Sequence, residues 1–389
     1  MTARPSVLVL SMSPLHRDPR VQRQISILGE EFEVHSAGYG PPPPGVVSHI
    51  EVPEELKKWR DDYRRFYALV LLRRFRRLYF GAPWVRFLLT HVPPERFDIV
   101  IANDVNAVPV ALAVRPRYGV HADLHEYATR QNESDTLWMR YSRPVFEWIL
   151  RDCTPQVVSA TTTTPLLARE YAREFDLECG VVPNAPPGRD DIDVRSTGEQ
   201  MRLVHTGAAA RSRRIEDMID SVALANRRRE VPLDFDLYLV AGDASYITEL
   251  VKRAEEVGEG RINVCDPLPF TEMIDGIAAY DVGLYGAPPM NFNQRASMPN
   301  KLFEFVQARL GSVIGPHEVM SEYVHEYGFG EVAEGFSAEE LAAVLVRMTP
   351  ETVDKWKAAA DRAAPCLSSE LLSGPWLEAA RAMVPGRMP

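Results

Sequence analysis

Short runs rich in Val and Ile recur along this chain, each separated from the next by a longer segment of helical character. In the first half they are SVLVLSM (6–12), FEVHSAG (32–38), DIVIAND (98–104), GVHADLH (119–125), QVVSAT (156–161) and GVVPN (180–184). In the second half they are MRLVHTG (201–207), FDLYLVAG (235–242), INVCD (262–266), DVGLYG (281–286) and GSVIG (311–315). Continuous apolar runs between helices mark parallel strands covered on both faces. The rhythm restarts after NAPPGRDDIDVRSTGEQ (184–200), a stretch rich in Pro, Gly and charge. The pattern predicts an α/β chain of two doubly wound, Rossmann-like domains, 1–184 and 201–370, joined by a linker at 185–200. A helical tail, 371–389, could return to the first domain. Ligands in such folds bind at the carboxyl ends of the strands, so that is where chemistry is sought.

Several function classes are disfavoured. The 389 residues carry 44 basic and 54 acidic side chains, a net charge of −10, which argues against a nucleic-acid partner. No GxGxxG follows the first strand, where SMSPLHRDPRV stands, and no GxxxxGK[ST] occurs. Neither HExxH nor a zinc spacing is present, and the two DxD triplets lie in the linker (Asp191, Asp193) or ahead of a strand (Asp234, Asp236). No metal is therefore expected. The four cysteines are scattered, no secretory leader is apparent, and no stretch approaches ~20 apolar residues, so a cytoplasmic protein is expected.

Four stretches could carry function. In HTGAAARSRRIEDMI (205–219) a strand ends at Gly207, and Arg211, Arg213 and Arg214 precede an amphipathic helix, an arrangement fit for a diphosphate or for a solvated turn. In SMPNKLFEF (297–305) Pro299 suits a helix's first turn, and Leu302, Val306 and Leu310 recur at helical spacing. Lys301 and Glu304 then share one face, as an ion pair or as separate contacts to phosphate and ribose. DLHEY (123–127) brings His125 and Glu126 to a strand end. Finally, 59–89 mixes Arg64, Arg65, Arg73, Arg74, Arg76 and Arg77 with Trp59, Phe66, Phe75, Tyr79, Phe80 and Trp84. We read it as packed on the first domain with its arginines in water; the other reading is a peripheral membrane or anionic-lipid contact.

Taken in order, DPRVQRQISIL (18–28), DLHEY, VVPNAP (181–186), HTGAAARSRRIEDMI, LYLVAGD (237–243), RINVCDPLP (261–269) and SMPNKLFEFVQARLGSVIG (297–315) resemble the retaining glycosyltransferases of GT-B fold, most closely glycosyltransferase family 4. The resemblance implies two Rossmann-like domains with a cleft between them and a nucleotide diphosphate sugar as donor. It implies a donor site in the second domain at Gly207, Arg211, Arg213, Arg214, Leu268, Pro299, Asn300, Lys301 and Glu304. In it Glu304 would bind ribose, Arg213 the diphosphate, and the backbone at Leu268 the base. His16, Arg20, His125 and Glu126 would face the acceptor, and His125, Arg213 and Lys301 would carry catalysis. Lys301 and Glu304 are then expected to face the cleft rather than each other. The chain departs from the family at Ala296, where a sugar-facing glutamate is common, and at Ala208, where many members have arginine. The expected function is retaining sugar transfer to an unidentified acceptor (a glycan, lipid-linked saccharide or natural product). The alternatives are a nucleotide-sugar 2-epimerase and a catalytically silent partner or scaffold protein of the same fold.

Overall fold

The computed structural model describes residues 4–57 and 63–386, which fall into two compact units. The first comprises Met1–Pro183, Asn291–Asn293 and Ser373–Pro389; the second comprises Asn184–Met290 and Gln294–Leu372.

The first unit is built on seven parallel strands: β1 (Ser6–Pro14), β2 (Glu33–Tyr39), β3 (Ser48–Glu51), β4 (Ile99–Asn103), β5 (Gly119–Leu124), β6 (Ser159–Thr162) and β7 (Gly180–Val181). Their order is β3-β2-β1-β4-β5-β6-β7. The inner strands are buried on both faces: Val7, Val9, Ile99 and Ile101 are sealed from solvent, with Val7 facing Val34 on one side and Ile99 on the other. The second unit has six: β8 (Arg202–Ala209), β9 (Asp234–Ala241), β10 (Ile262–Cys265), β11 (Val282–Tyr285), β12 (Gly311–Ile314) and β13 (Gly330–Val332), ordered β10-β9-β8-β11-β12-β13. Chain direction across each sheet reverses once, between β1 and β4 and between β8 and β11, and such switch points open a crevice beyond the strand ends.

Eleven of the strands coincide with the apolar runs. The two the pattern does not predict, β3 (SHIE) and β13 (GEV), are edge strands; only one side of each is paired, so neither needs an apolar run. The 185–200 stretch lacks helix and strand but is strapped to the second unit. The Arg189 amide donates to Gln307 Oε1 at 3.0 Å, the Arg189 guanidinium pairs with Asp275 at 2.5 Å, and the Thr197 amide donates to Asp354 at 2.7 Å. At the other end of the chain, the helix Gly374–Met383 packs Ala380 and Met383 against Val7, Ile25 and Ile99 in the first unit's core.

The arginine-rich stretch forms three short helices, Tyr63–Leu71, Phe75–Phe80 and Pro83–His91; Trp59 lies outside the described residues. Arg73, at φ 51°, breaks the first from the second, and Pro83 opens the third. Phe66, Leu78, Tyr79 and Trp84 are buried while the arginines are exposed, so packing of the apolar side leaves the basic side open. No helix among the described residues is long and apolar enough to cross a membrane.

Candidate functional site

In the second unit, a pocket of about 280 Å³ lies beyond the ends of β8 and β11, lined by Arg213, Tyr285, Asn300, Lys301 and His317 among others. That is near the lower end of the ~300–1,000 Å³ usual for ligand sites. Gly207 does not line the pocket but lies beside Arg213, which does. It sits at φ 157°, and a Cβ there would lie 3.1 Å from Arg213 Nη1 and 3.5 Å from His205 Nε2. A side chain at 207 would make the guanidinium give by a few tenths of an ångström.

The three arginines of the loop part company. Arg213, ending a single 3-10 turn, reaches the pocket. Arg211 turns outward to the Ala244–Val257 helix, where it pairs with Glu249 at 2.6 Å, bonds Ser245 and covers the Tyr246 ring. Arg214 takes a left-handed turn (φ 47°) into the Ile215–Asn226 helix and pairs with Asp217 at 2.7 Å. Pairs this exposed are weak and can be traded for another anion.

SMPNKLFEF becomes a helix from Asn300 to Gln307, with Pro299 as its N-cap rather than its first residue. It is one turn shorter than the spacing predicts: Arg309 adopts φ 60°, so Leu310 belongs to the turn into β12. Phe305 packs where a Cβ on Gly283 would come within 2.3 Å, which pins the helix to β11. No side chain caps this helix; the Leu302 amide donates to the Pro299 carbonyl at 3.3 Å, and the Asn300 and Lys301 amides are left for an anion at the pocket.

Lys301 and Glu304 do form the ion pair, Nζ to Oε2 at 2.8 Å, contrary to the expectation that each turns to a separate contact. The reason is burial. The Glu304 side chain is only 5% exposed, and a carboxylate so enclosed is costly without a cation beside it. Pro299, Asn300 and Lys301 line the pocket. Leu268 does not; it packs over Gly276, its Cδ1 2.7 Å from where a Cβ there would stand.

The pattern did not single out Tyr285, His205 or His317. His317 follows β12 and is 3% exposed, with neither ring nitrogen hydrogen-bonded. Burial lowers its pKa to about 4, offset in part by the Ala287 backbone. His205 donates from Nδ1 to the Leu284 carbonyl at 2.9 Å, leaving Nε2 unpaired, and its pKa is also about 4, through burial opposed by that bond and reinforced by Lys301 and Arg213. Both rings are neutral at pH 7. The available signal was their position at the ends of apolar runs.

In the first unit the ends of β4 and β5 build a separate polar cluster. Asp123 is fully buried and receives Arg20 Nε at 2.8 Å and Nη2 at 2.7 Å, together with the Thr161 hydroxyl at 2.7 Å. Burial alone would raise this carboxyl, but Arg20 and His125 hold it well below the usual range. Arg20, itself buried, also donates to the Val182 carbonyl at 2.7 Å and covers the Trp376 ring. It is a structural hub of the first unit.

His125 Nε2 lies 3.3 Å from Asp123 Oδ2 and its Nδ1 3.5 Å from Asp104 Oδ2. Burial pulls its pKa down, yet the two carboxylates prevail and leave it above 6.5, with the ring still 19% exposed. The partner of His125 is thus not Glu126, whose exposed carboxyl is raised by its surroundings and then by Asp104. Asp104, which the sequence reading passed over, holds φ 64° and accepts the His125 amide at 3.1 Å, a strained conformation of the kind found where side chains must be aimed. His16 packs against Gly40, a Cβ on which would stand 2.8 Å from His16 Nδ1.

The DxD residues are engaged elsewhere. β9 begins at Asp234 itself rather than after Asp236. Asp234 pairs with Arg261 at 2.9 Å and Asp236 accepts from the Tyr280 hydroxyl at 2.6 Å, both at the amino end of the strand.

No protein-family model matches the chain, and no curated protein matches it in sequence. Solved structures do resemble it. The Anabaena HepE structure in complex with UDP and glucose matches with TM-score 0.64 and 14% identity over 97% of this chain and 100% of that one. A putative UDP-N-acetylglucosamine 2-epimerase from Listeria monocytogenes gives TM-score 0.60 and 11% identity over 98% and 96%. S. aureus TarM, in complex with Fondaparinux, alpha-GlcNAc-glycerol and UDP, gives 0.55 and 12% over 77% of this chain, which spans only 58% of that protein. The fold of this chain is accordingly GT-B, with two parallel-stranded α/β units.

Proposed function

We propose that this protein is a retaining glycosyltransferase of family 4 type that moves a sugar from a nucleotide diphosphate sugar to an acceptor hydroxyl. One observation carries the reading: Arg213, Lys301 and the uncapped amides of the Asn300–Gln307 helix converge on one pocket at the switch point of the second sheet. The likeness to HepE, whose structure holds UDP and glucose, supports it.

The difficult step is departure of a diphosphate from an oxocarbenium-like carbon. Fixed cations and open amides aimed at the leaving oxygens stabilise the charge as it develops and need no metal. As the bond from the sugar carbon to the leaving diphosphate breaks, an anionic oxygen of that diphosphate can take the acceptor hydroxyl's proton on the same face while the acceptor oxygen bonds to the carbon. Configuration is thereby retained without a separate base. Glu304 would accept from ribose hydroxyls once Lys301 turns to phosphate, the backbone near Leu268 would contact the base, and His125 would orient the sugar or the acceptor. The acceptor side, with His16, Glu126 and the arginine-rich stretch, suits a saccharide carried on an anionic or membrane-borne molecule met at the cytoplasmic face.

The test is to incubate the protein with a panel of nucleoside diphosphate glucoses and acceptors in EDTA and follow the anomeric protons by NMR. Product with the donor's configuration is expected. Inverted product would sink the retaining mechanism, and loss of turnover on chelation would sink the metal-free one. The epimerase reading is favoured only by the likeness to the Listeria protein. It predicts acceptor-independent inversion at the sugar's C2 in the same spectra.

A further inference from the structure

The stretch from Tyr63 to Pro94 holds seven arginines and no aspartate or glutamate, in a chain whose net charge is −10. Such segregation needs a cause, because like charges repel and the cheapest relief is an interspersed carboxylate. Among the described residues Arg73, Arg74, Arg76 and Arg77 are not paired with one, and all four are exposed. They ring a concavity of about 1,520 Å³ on the first unit, joined across it by Arg140 and Arg151. Two carboxylates share this wall: Glu147 is taken by Arg143 at 2.7 Å, and Asp152 is exposed, which leaves six arginines against one acid unpaired among the described residues.

A second observation points the same way. Leu71 and Leu72, at the corner between the Tyr63–Leu71 and Phe75–Phe80 helices, are 63% and 68% exposed. Core packing does not need them: Phe66, Leu69, Val70 and Leu78 already close the cluster with Val145. The left-handed turn at Arg73 holds the corner out. Two adjacent leucines at a protruding corner, flanked by four arginines without carboxylate partners, match a surface whose phosphates lie just outside a hydrocarbon layer. A soluble polyanion would use the arginines but have no use for the leucines.

We propose that this corner is a docking site for an anionic lipid bilayer, with Leu71 and Leu72 entering the headgroup boundary and Arg73, Arg74, Arg76 and Arg77 on lipid phosphates. The attachment is peripheral. It stands on its own observations and is independent of the donor pocket, so a failed donor assay would leave it intact.

The experiment is co-sedimentation of the full chain with phosphatidylcholine vesicles, with and without phosphatidylglycerol. Binding is expected only with phosphatidylglycerol and should weaken with salt. Each arginine changed to Gln should lower the partition coefficient roughly fivefold. The exposed pair Leu71→Ser/Leu72→Ser should lower it too without moving Tm, while Arg227→Gln/Arg228→Gln, an exposed basic pair in the second unit, should not. Three results would overturn the proposal: no binding to either vesicle, equal binding to both, or binding unaffected by the leucine change but abolished by heparin. The last would identify a soluble polyanion as the ligand.

Discussion

Lys301 Nζ stands 2.8 Å from Glu304 Oε2, one turn apart at the head of a helix whose remaining residues are almost wholly buried. A lysine in a helix's first turn opposes the positive end of the macrodipole, and a buried glutamate beside it offsets that cost. The pair is therefore a stored arrangement: a cation held against a positive helix end by a carboxylate that cannot leave. An arriving phosphate would replace the carboxylate as partner of Lys301 and release Glu304 to accept from a hydroxyl.

Removing one partner should reveal this coupling. Glu304→Ala is expected to lower unfolding free energy by ~2–3 kcal/mol, less than the ~3–5 typical of a fully buried pair because Lys301 keeps some solvent contact. Urea denaturation measures it. A loss under ~0.5 kcal/mol, the range of ordinary surface changes, would mean that the pair is incidental.

The outward turn of Arg211 and the inward reach of Arg213 predict unequal substitutions. Arg213→Ala should weaken nucleoside diphosphate binding by ~1.5–3 kcal/mol, the usual worth of hydrogen bonds to charged groups. Arg211→Ala should leave the affinity nearly unchanged. Calorimetry with UDP, GDP and ADP would decide, and equal effects would show that the loop rearranges on binding.

Gly207→Ala tests the contact between Gly207 and Arg213. The added methyl would meet Arg213 Nη1 at 3.1 Å, so the guanidinium must shift and affinity should fall toward that of Arg213→Ala. Stability should drop by about 1 kcal/mol or somewhat more for the backbone conformation. Wild-type affinity in a folded Gly207→Ala protein would show that Arg213 is not seated by Gly207.

The histidines predict a pH dependence of stability. His121, His205 and His317 have folded pKa values of about 4, below the 6.5 of an unfolded chain, because burial disfavours their charged forms. Between pH 6.5 and 4 the unfolded state takes up protons that these sites refuse, so stability should fall as pH drops through that window. His125 runs the other way: raised by Asp104 and Asp123 against burial, it contributes fully below 6.5 and loses that contribution as pH rises through its higher folded pKa. Imidazole NMR titration should find the His125 ring above 6.5, and Asp104→Asn should lower it. A His125 titrating below 6.5 in the wild type would contradict the arrangement.

Much of the fold was legible because burial on both faces writes itself locally. Eleven strands announce themselves as unbroken apolar runs, and the pause at 184–200 marks where one sheet's material ends. The edge strands β3 and β13 left no such trace, being half-paired and half-wet. The helix at 300–307 was legible in its face but not its end, since the left-handed turn at Arg309 has no glycine to mark it.

Residue types alone marked cations after Gly207 and a helix start near Lys301, while their use in one donor site was implied only by the resemblance to GT-B transferases. The resemblance implied Arg213 as the diphosphate contact, and the tertiary structure shows why Arg213 lines the pocket while Arg211 and Arg214 turn away. Each is equally basic, and the choice rests on Glu249 and Asp217, contributed by helices the loop sequence does not contain. The same holds for His125: its neighbour in sequence is Glu126, but its partners are Asn103 and Asp104 at the end of another strand and Asp123 beneath it. Charge identity is a local property, whereas the pairing of charges depends on distances that folding alone creates.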